Sequence, residues 1–132
     1  MKTEISRVIS FVLLPLVVGL FVYVYLKQGN LFLSSLNPSC HYYSCPGFVK
    51  NNLADGLWLF AFLNMLQIIW KQESSQKLTW VVTVTILSIL TEFLQKYHLL
   101  KGVFDVLDIL TYIIAFASSL IISTIIFKKT SL

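Results

Sequence analysis

Apolar residues in this chain fall into four long runs. The first extends from Val8 to Leu26 without a charge and is flanked by Arg7 and Lys27. The second, Leu53 to Trp70, carries one charge, Asp55; the third, Leu78 to Gln95, carries Glu92. The fourth holds Asp105 and Asp108 in its opening turns, then stays apolar to Phe127, ahead of Lys128 and Lys129. A helix rises 1.5 Å per residue, so crossing a ~30 Å hydrocarbon core takes roughly 20 residues. The pattern therefore predicts an all-α integral membrane four-helix bundle. Its helices are expected at about 5–27, 52–71, 77–96 and 103–128, within a single transmembrane domain over 1–132. The loops are short except the one holding the two cysteines.

Composition supports a lipid setting. Hydrophobic residues make up 57% of the 132 and charged ones 12%, whereas soluble domains carry about 25% charged residues. The net charge of +4 comes from basic residues scattered singly between apolar runs. No stripe of them can follow a phosphate backbone, so nucleic acid is excluded as a partner. The first run is longer than the ~7–15 residues of a signal h-region, and Tyr25, Leu26, Lys27 and Gln28 offer no small-residue cleavage site. A retained helix is expected, with Pro15 and Gly19 marking a kink or a close helix contact.

Alternating helix direction puts Lys2, Arg7, Lys71, Lys77, Lys128 and Lys129 on one side of the membrane, and Lys27, Lys50, Lys96 and Lys101 on the other. Six against four favours cytoplasmic termini in the inner membrane. Cys40 and Cys45 then lie in a loop on the oxidising side, where Cys-His-Tyr-Tyr-Ser-Cys fits a structural disulfide braced by Pro38, Pro46 and Gly47. A metal site built with His41 and His98 lacks a second cysteine pair, and membrane thiol-redox enzymes use Cys-x-x-Cys.

The acids carry the functional signal. Asp55, Glu92, Asp105 and Asp108 all fall at the membrane face opposite the termini, whichever way the protein inserts. Asp55 stands 16 residues before Lys71 and Glu92 15 after Lys77, which puts both roughly 22–24 Å from the terminal-side boundary, about a turn beneath the far surface. Carboxylates at that depth are expected to face the bundle interior or a wet vestibule. Val81, Val84, Thr85, Ser88, Thr91, Glu92 and Gln95 form one stripe; Asp108, Tyr112, Ala115, Ser119 and Ser123 form another. These faces are expected to meet, with Trp58 stacked beside the acids, Asn64 and Gln67 bonding between helices, and Trp70 and Trp80 at the interface. Ion pairs with Lys50, Lys96 and Lys101, with Asn51 or Asn52 capping the second helix, would also account for three of the acids. Glu92 fits that account poorly, because an acid near a helix C-terminus opposes the dipole.

Thr91-Glu92-Phe93-Leu94-Gln95 followed by Gly102-Val103-Phe104-Asp105-Val106-Leu107-Asp108 resembles the hallmark of the VanZ-like membrane proteins, a Glu-x-x-Gln ending one helix and an Asp-x-x-Asp opening the next. Asn51 to Trp58 looks like the acid-bearing segment ahead of it. The chain departs from the pattern at Val103, where a basic residue is common, at Tyr112 in place of an Asn, and at Ala115 and Ser119 in place of glycines. The resemblance implies a bacterial envelope protein with a binding site, for which an envelope lipid or glycopeptide-type ligand is the expected partner, and no reaction. The ligand site is expected to comprise Asp55, Trp58, Glu92, Gln95, Asp105, Asp108 and Tyr112, taking a cation, an amine or a lipid-linked group. No cofactor is expected, although a divalent cation suits acidic oxygens. A proton- or cation-coupled transporter acting as an oligomer, and a scaffold subunit with a membrane-protein partner, are the competing readings. Paired carboxylates can do acid–base work, but no Ser–His or Cys–His constellation lies at membrane depth, so an enzyme is not expected.

Overall fold

A computed structural model describes residues 2–26 and 46–128, all of whose regular structure is helical. The expected disulfide between Cys40 and Cys45 lies outside these residues. The first rod is built from α1 (Lys2–Val8), a π-helical turn (Ile9–Leu13) and α2 (Leu14–Leu26). Pro15 explains the wide turn. It has no N–H for the carbonyl four residues back, and its ring crowds that group. The helix responds by inserting a residue, so that the Leu14 N–H bonds to the Ile9 carbonyl.

After the undescribed stretch come α3 (Gly47–Asn51) and α4 (Leu53–Ile69), joined at Asn52. The Asn52 N–H bonds to the Phe48 carbonyl at 3.0 Å and the Gly56 N–H to the Asn52 carbonyl at 3.2 Å. The two helices thus form one rod bent at a single residue. A short turn held by Glu73 N–H to Trp70 C=O, 3.1 Å, reverses the chain into α5 (Ser74–Lys96), and α6 (Val106–Lys128) follows. Three helical stretches, Ile5–Val24, Ser74–Lys96 and Val106–Thr124, are long and apolar enough to cross a membrane, which makes this a membrane protein. The sequence predicts four such spans. The second of them, α4, is apolar but counts only 17 residues, because the regular helix is interrupted at Asn52.

That short helix is the hub. It packs against α2 and the π turn on one side and α5 and α6 on the other, around a core of Leu59, Leu63, Val81 and Ala115. Among the described residues, glycine and proline aside, eight apolar and eight polar side chains are buried, while large apolar ones such as Leu14, Phe21, Ile86, Leu90, Ile113 and Ile121 are exposed. A water-soluble domain sorts its residues the other way; lipid accepts this distribution. Close approaches tie the rods together. A β-carbon on Gly19 would come within 2.8 Å of the Trp58 ring, and one on Gly56 within 3.0 Å of Thr111 Cβ. Gly19 is thus the close-contact residue that the sequence leads one to expect. Gln67 donates to Ser119 across α4 and α6, as expected. Asn64 instead donates to the Phe60 carbonyl of its own helix at 2.8 Å.

The end of α5 is stopped by a Schellman turn. Leu99 N–H bonds to Leu94 C=O at 2.9 Å and His98 N–H to Gln95 C=O at 3.0 Å, with His98 at φ 57°. Glycine is the usual residue there, since a left-handed backbone costs other residues roughly 1–2 kcal/mol. His98→Gly should therefore raise the melting temperature of the detergent-purified protein, by a gain of up to about 1 kcal/mol. Gly56→Leu should do the reverse, forcing α4 and α6 apart at a cost of about 1–3 kcal/mol; thermal unfolding followed by tryptophan fluorescence reads both.

Candidate functional site

The acidic end of the molecule is assembled from three pieces of chain, and an asparagine joins two of them. Asn52, 1% exposed, donates through Nδ2 to Asp105 Oδ2 at 2.9 Å and to Asp108 Oδ1 at 2.8 Å. Its side chain does not cap α4; the bend between α3 and α4 aims it at the first turn of α6 instead. Asp105 closes that turn from below. Its Oδ1 accepts from the Leu107 N–H at 2.9 Å, as an N-cap does, and its backbone carbonyl accepts from Asp108 N–H at 3.2 Å. Both carboxylates also lie where the helix dipole favours negative charge.

Glu92 comes from the other direction, in the last two turns of α5. It is 3% exposed. Tyr112, one turn below Asp108 on α6, donates its hydroxyl to Glu92 Oε1 at 3.3 Å, near the outer limit for such a bond. Asp108 and Asp55 both lie within electrostatic reach of the Glu92 carboxylate and of the Tyr112 hydroxyl. Among the described residues, two oxygens in this group are buried without a hydrogen-bond partner, Glu92 Oε2 and Asn52 Oδ1. An unmet buried polar atom costs about 1–3 kcal/mol.

The remaining expected residues are placed differently. Gln95 packs its side-chain amide on the backbone of Gly102, where a β-carbon would stand 2.5–2.9 Å from it. With φ at 150°, Gly102 is also in a backbone region that other residues rarely adopt. Gln95 therefore supports the α5–α6 turn. Trp58 turns away from the acids. Its ring lies 5.5 Å from that of Tyr23 and against Gly19, on the α2 side. Asp55, Glu92, Asp105, Asp108 and Tyr112 are thus brought together, and Gln95 and Trp58 brace the helices around them. Asn52 is the member that sequence reasoning missed. Its only local signal is an amide beside a helix start, which capping explains equally well. Among the described residues, no three His, Cys, Asp or Glu side chains are arranged to hold a metal ion.

Electrostatics follow from the amide clamp. The Asn52 bond, and after it the Leu107 N–H, hold the Asp105 carboxyl below the usual carboxylate range. A depressed folded value stabilises the protein above the unfolded value, and this gain disappears as pH falls through the folded one. Asp105→Asn keeps a capping side chain but loses that charge. Its melting temperature should lie below that of the unmodified protein at neutral pH, and the gap should close below about pH 4.

Comparison with protein-family models, with curated proteins and with solved structures finds no match to this chain.

Proposed function

We propose that the chain is a small VanZ-like protein of the bacterial cytoplasmic membrane, with four crossings and cytoplasmic termini, that binds a cationic group at the acidic end of its bundle, near the outer face. The observation that carries this reading is Glu92. A carboxylate that is 3% exposed, with Asp108 and Asp55 in reach and one oxygen unpartnered among the described residues, is short of hydrogen-bond donors. Asp105 and Asp108 have a donor in Asn52, and the scaffold reading accounts for them. It does not account for Glu92.

Four crossings rest on the α3–α4 rod. Residues 47–69 follow one helical path through Asn52, about 34 Å at the usual rise, enough for the hydrocarbon core. Of the resemblance residues, Glu92, Asp105 and Asp108 lie together beside the α5–α6 turn, which Gln95 supports at Gly102; this favours the resemblance. A transport path finds less support. Between the acids and the polar pair Gln67 and Ser119 stands the apolar cluster of Leu59, Leu63, Val81 and Ala115, with no carboxylate among the buried residues there.

Magnesium, calcium and simple primary amines, titrated against purified protein, test the reading. At least one class should raise the melting temperature of the unmodified protein, and Glu92→Gln, which keeps the shape and removes the charge, should abolish that rise. Equal stabilisation of both proteins rejects a cation site at Glu92.

A further inference from the structure

We infer that the group held at this site is the primary ammonium of an aminophospholipid headgroup, with its phosphate at Lys96 and Lys101. The inference rests on the cation-binding reading above and narrows it to one chemical class.

The ammonium follows from what the site lacks. Glu92 Oε2 and Asn52 Oδ1 are both acceptors, and both are buried without a donor among the described residues. A primary ammonium brings three N–H donors and one positive charge. It can supply a donor to Glu92 Oε2, whose carboxylate has Asp108 and Asp55 within electrostatic reach. A metal ion fits less well. Calcium needs six to eight oxygens and magnesium a near-octahedral set, and here Asp105 and Asp108 each spend an oxygen on the Asn52 amide. That amide would also present its N–H protons to a metal drawn toward the pair. A quaternary ammonium supplies charge without N–H and leaves the two acceptors unmet. One oxygen of Glu92 is held inward by a long contact, 3.3 Å from the Tyr112 hydroxyl.

The lipid follows from what surrounds the acids. Lys96 sets its ammonium 5.2 Å from the centre of the Phe104 ring, and Phe104 immediately precedes Asp105. Lys101 is exposed in the same turn. Positive groups thus stand in the turn beside the acidic cluster, the order of charges opposite to that of a phosphate-linked amine. The same turn exposes Tyr97, Leu99, Leu100 and Val103, the last at 85%. A site for a free water-soluble amine has no use for that apolar rim; a site for a molecule already lying in the leaflet does.

The experiment uses the full chain in a neutral detergent and reads thermal unfolding against short-chain lipids and their fragments. Dihexanoyl phosphatidylethanolamine should raise the melting temperature. It should act at concentrations roughly tenfold lower than phosphoethanolamine or ethanolamine, and the phosphatidylcholine and phosphatidylglycerol analogues should have little effect. Glu92→Gln should remove the response and Lys96→Gln should weaken it a few-fold. Lys96 is exposed, so that variant keeps the test available if Glu92→Gln does not fold. Equal responses to the ethanolamine and choline lipids overturn the inference. So does ethanolamine acting as well as the lipid, or magnesium acting where the lipid does not, and in those two cases the cation site itself survives if Glu92→Gln removes the response. A response to no cation, amine or lipid that depends on Glu92 removes both.

Discussion

Lipid offers one apolar helix no reason to prefer another, so the helices of this chain must be held by contacts that hydrocarbon cannot provide. The Asn52 amide is the contact on which the arrangement turns. It reaches 53 residues along the chain to Asp105 and 56 to Asp108, joining the bend between α3 and α4 to the opening of α6. Gln67 and Ser119 tie the same two rods further along, and Gly56 lets them approach between those points. With α4 fixed to α6 at both ends, α2 and α5 complete the packing on either side. The hub is thus held by polar bonds and by a missing side chain, with apolar burial filling the space between.

The same amide divides the acids into two kinds. Asp105 and Asp108 sit at a helix start and share one donor, so their charges are compensated by backbone geometry and by Asn52. Glu92 enters from a helix end, where the dipole is unfavourable, and accepts a long bond from Tyr112 at one of its oxygens. A cluster in which Asp105 and Asp108 share a donor, while Glu92 keeps one oxygen without a donor among the described residues, can discriminate by donor number as well as by charge.

Much of this was legible in the chain. Helix positions followed from apolar runs, and the meeting of Asp55, Glu92 and Asp108 from alternating helix direction, which needs no knowledge of packing. What periodicity could not supply was rotation about the helix axis. Trp58 lies three residues from Asp55, near enough in phase to be assigned to the same site, yet its ring is turned to α2 by the space that Gly19 leaves. Asn64 and Gln67 are likewise three apart, and only Gln67 meets a hydroxyl on α6; Asn64 turns back to its own backbone. Asn52 was hidden for a further reason. Capping is a local habit that any helix start invites, whereas its partners are set by a bend at the residue itself.

The wide turn ahead of Pro15 alters which face the start of the chain presents. One extra residue in a helix swivels everything before it by about 100° relative to an uninterrupted rod. Counting back from the buried positions Val12, Pro15, Gly19 and Val22, a regular helix would turn Val8 and Ile5 inward. In the widened one Ile5 is exposed, while Arg7 and Val8 are half-buried. The inserted residue thereby draws the guanidinium-bearing position partly off the lipid and gives up an isoleucine in exchange, a trade that hydrocarbon surroundings favour.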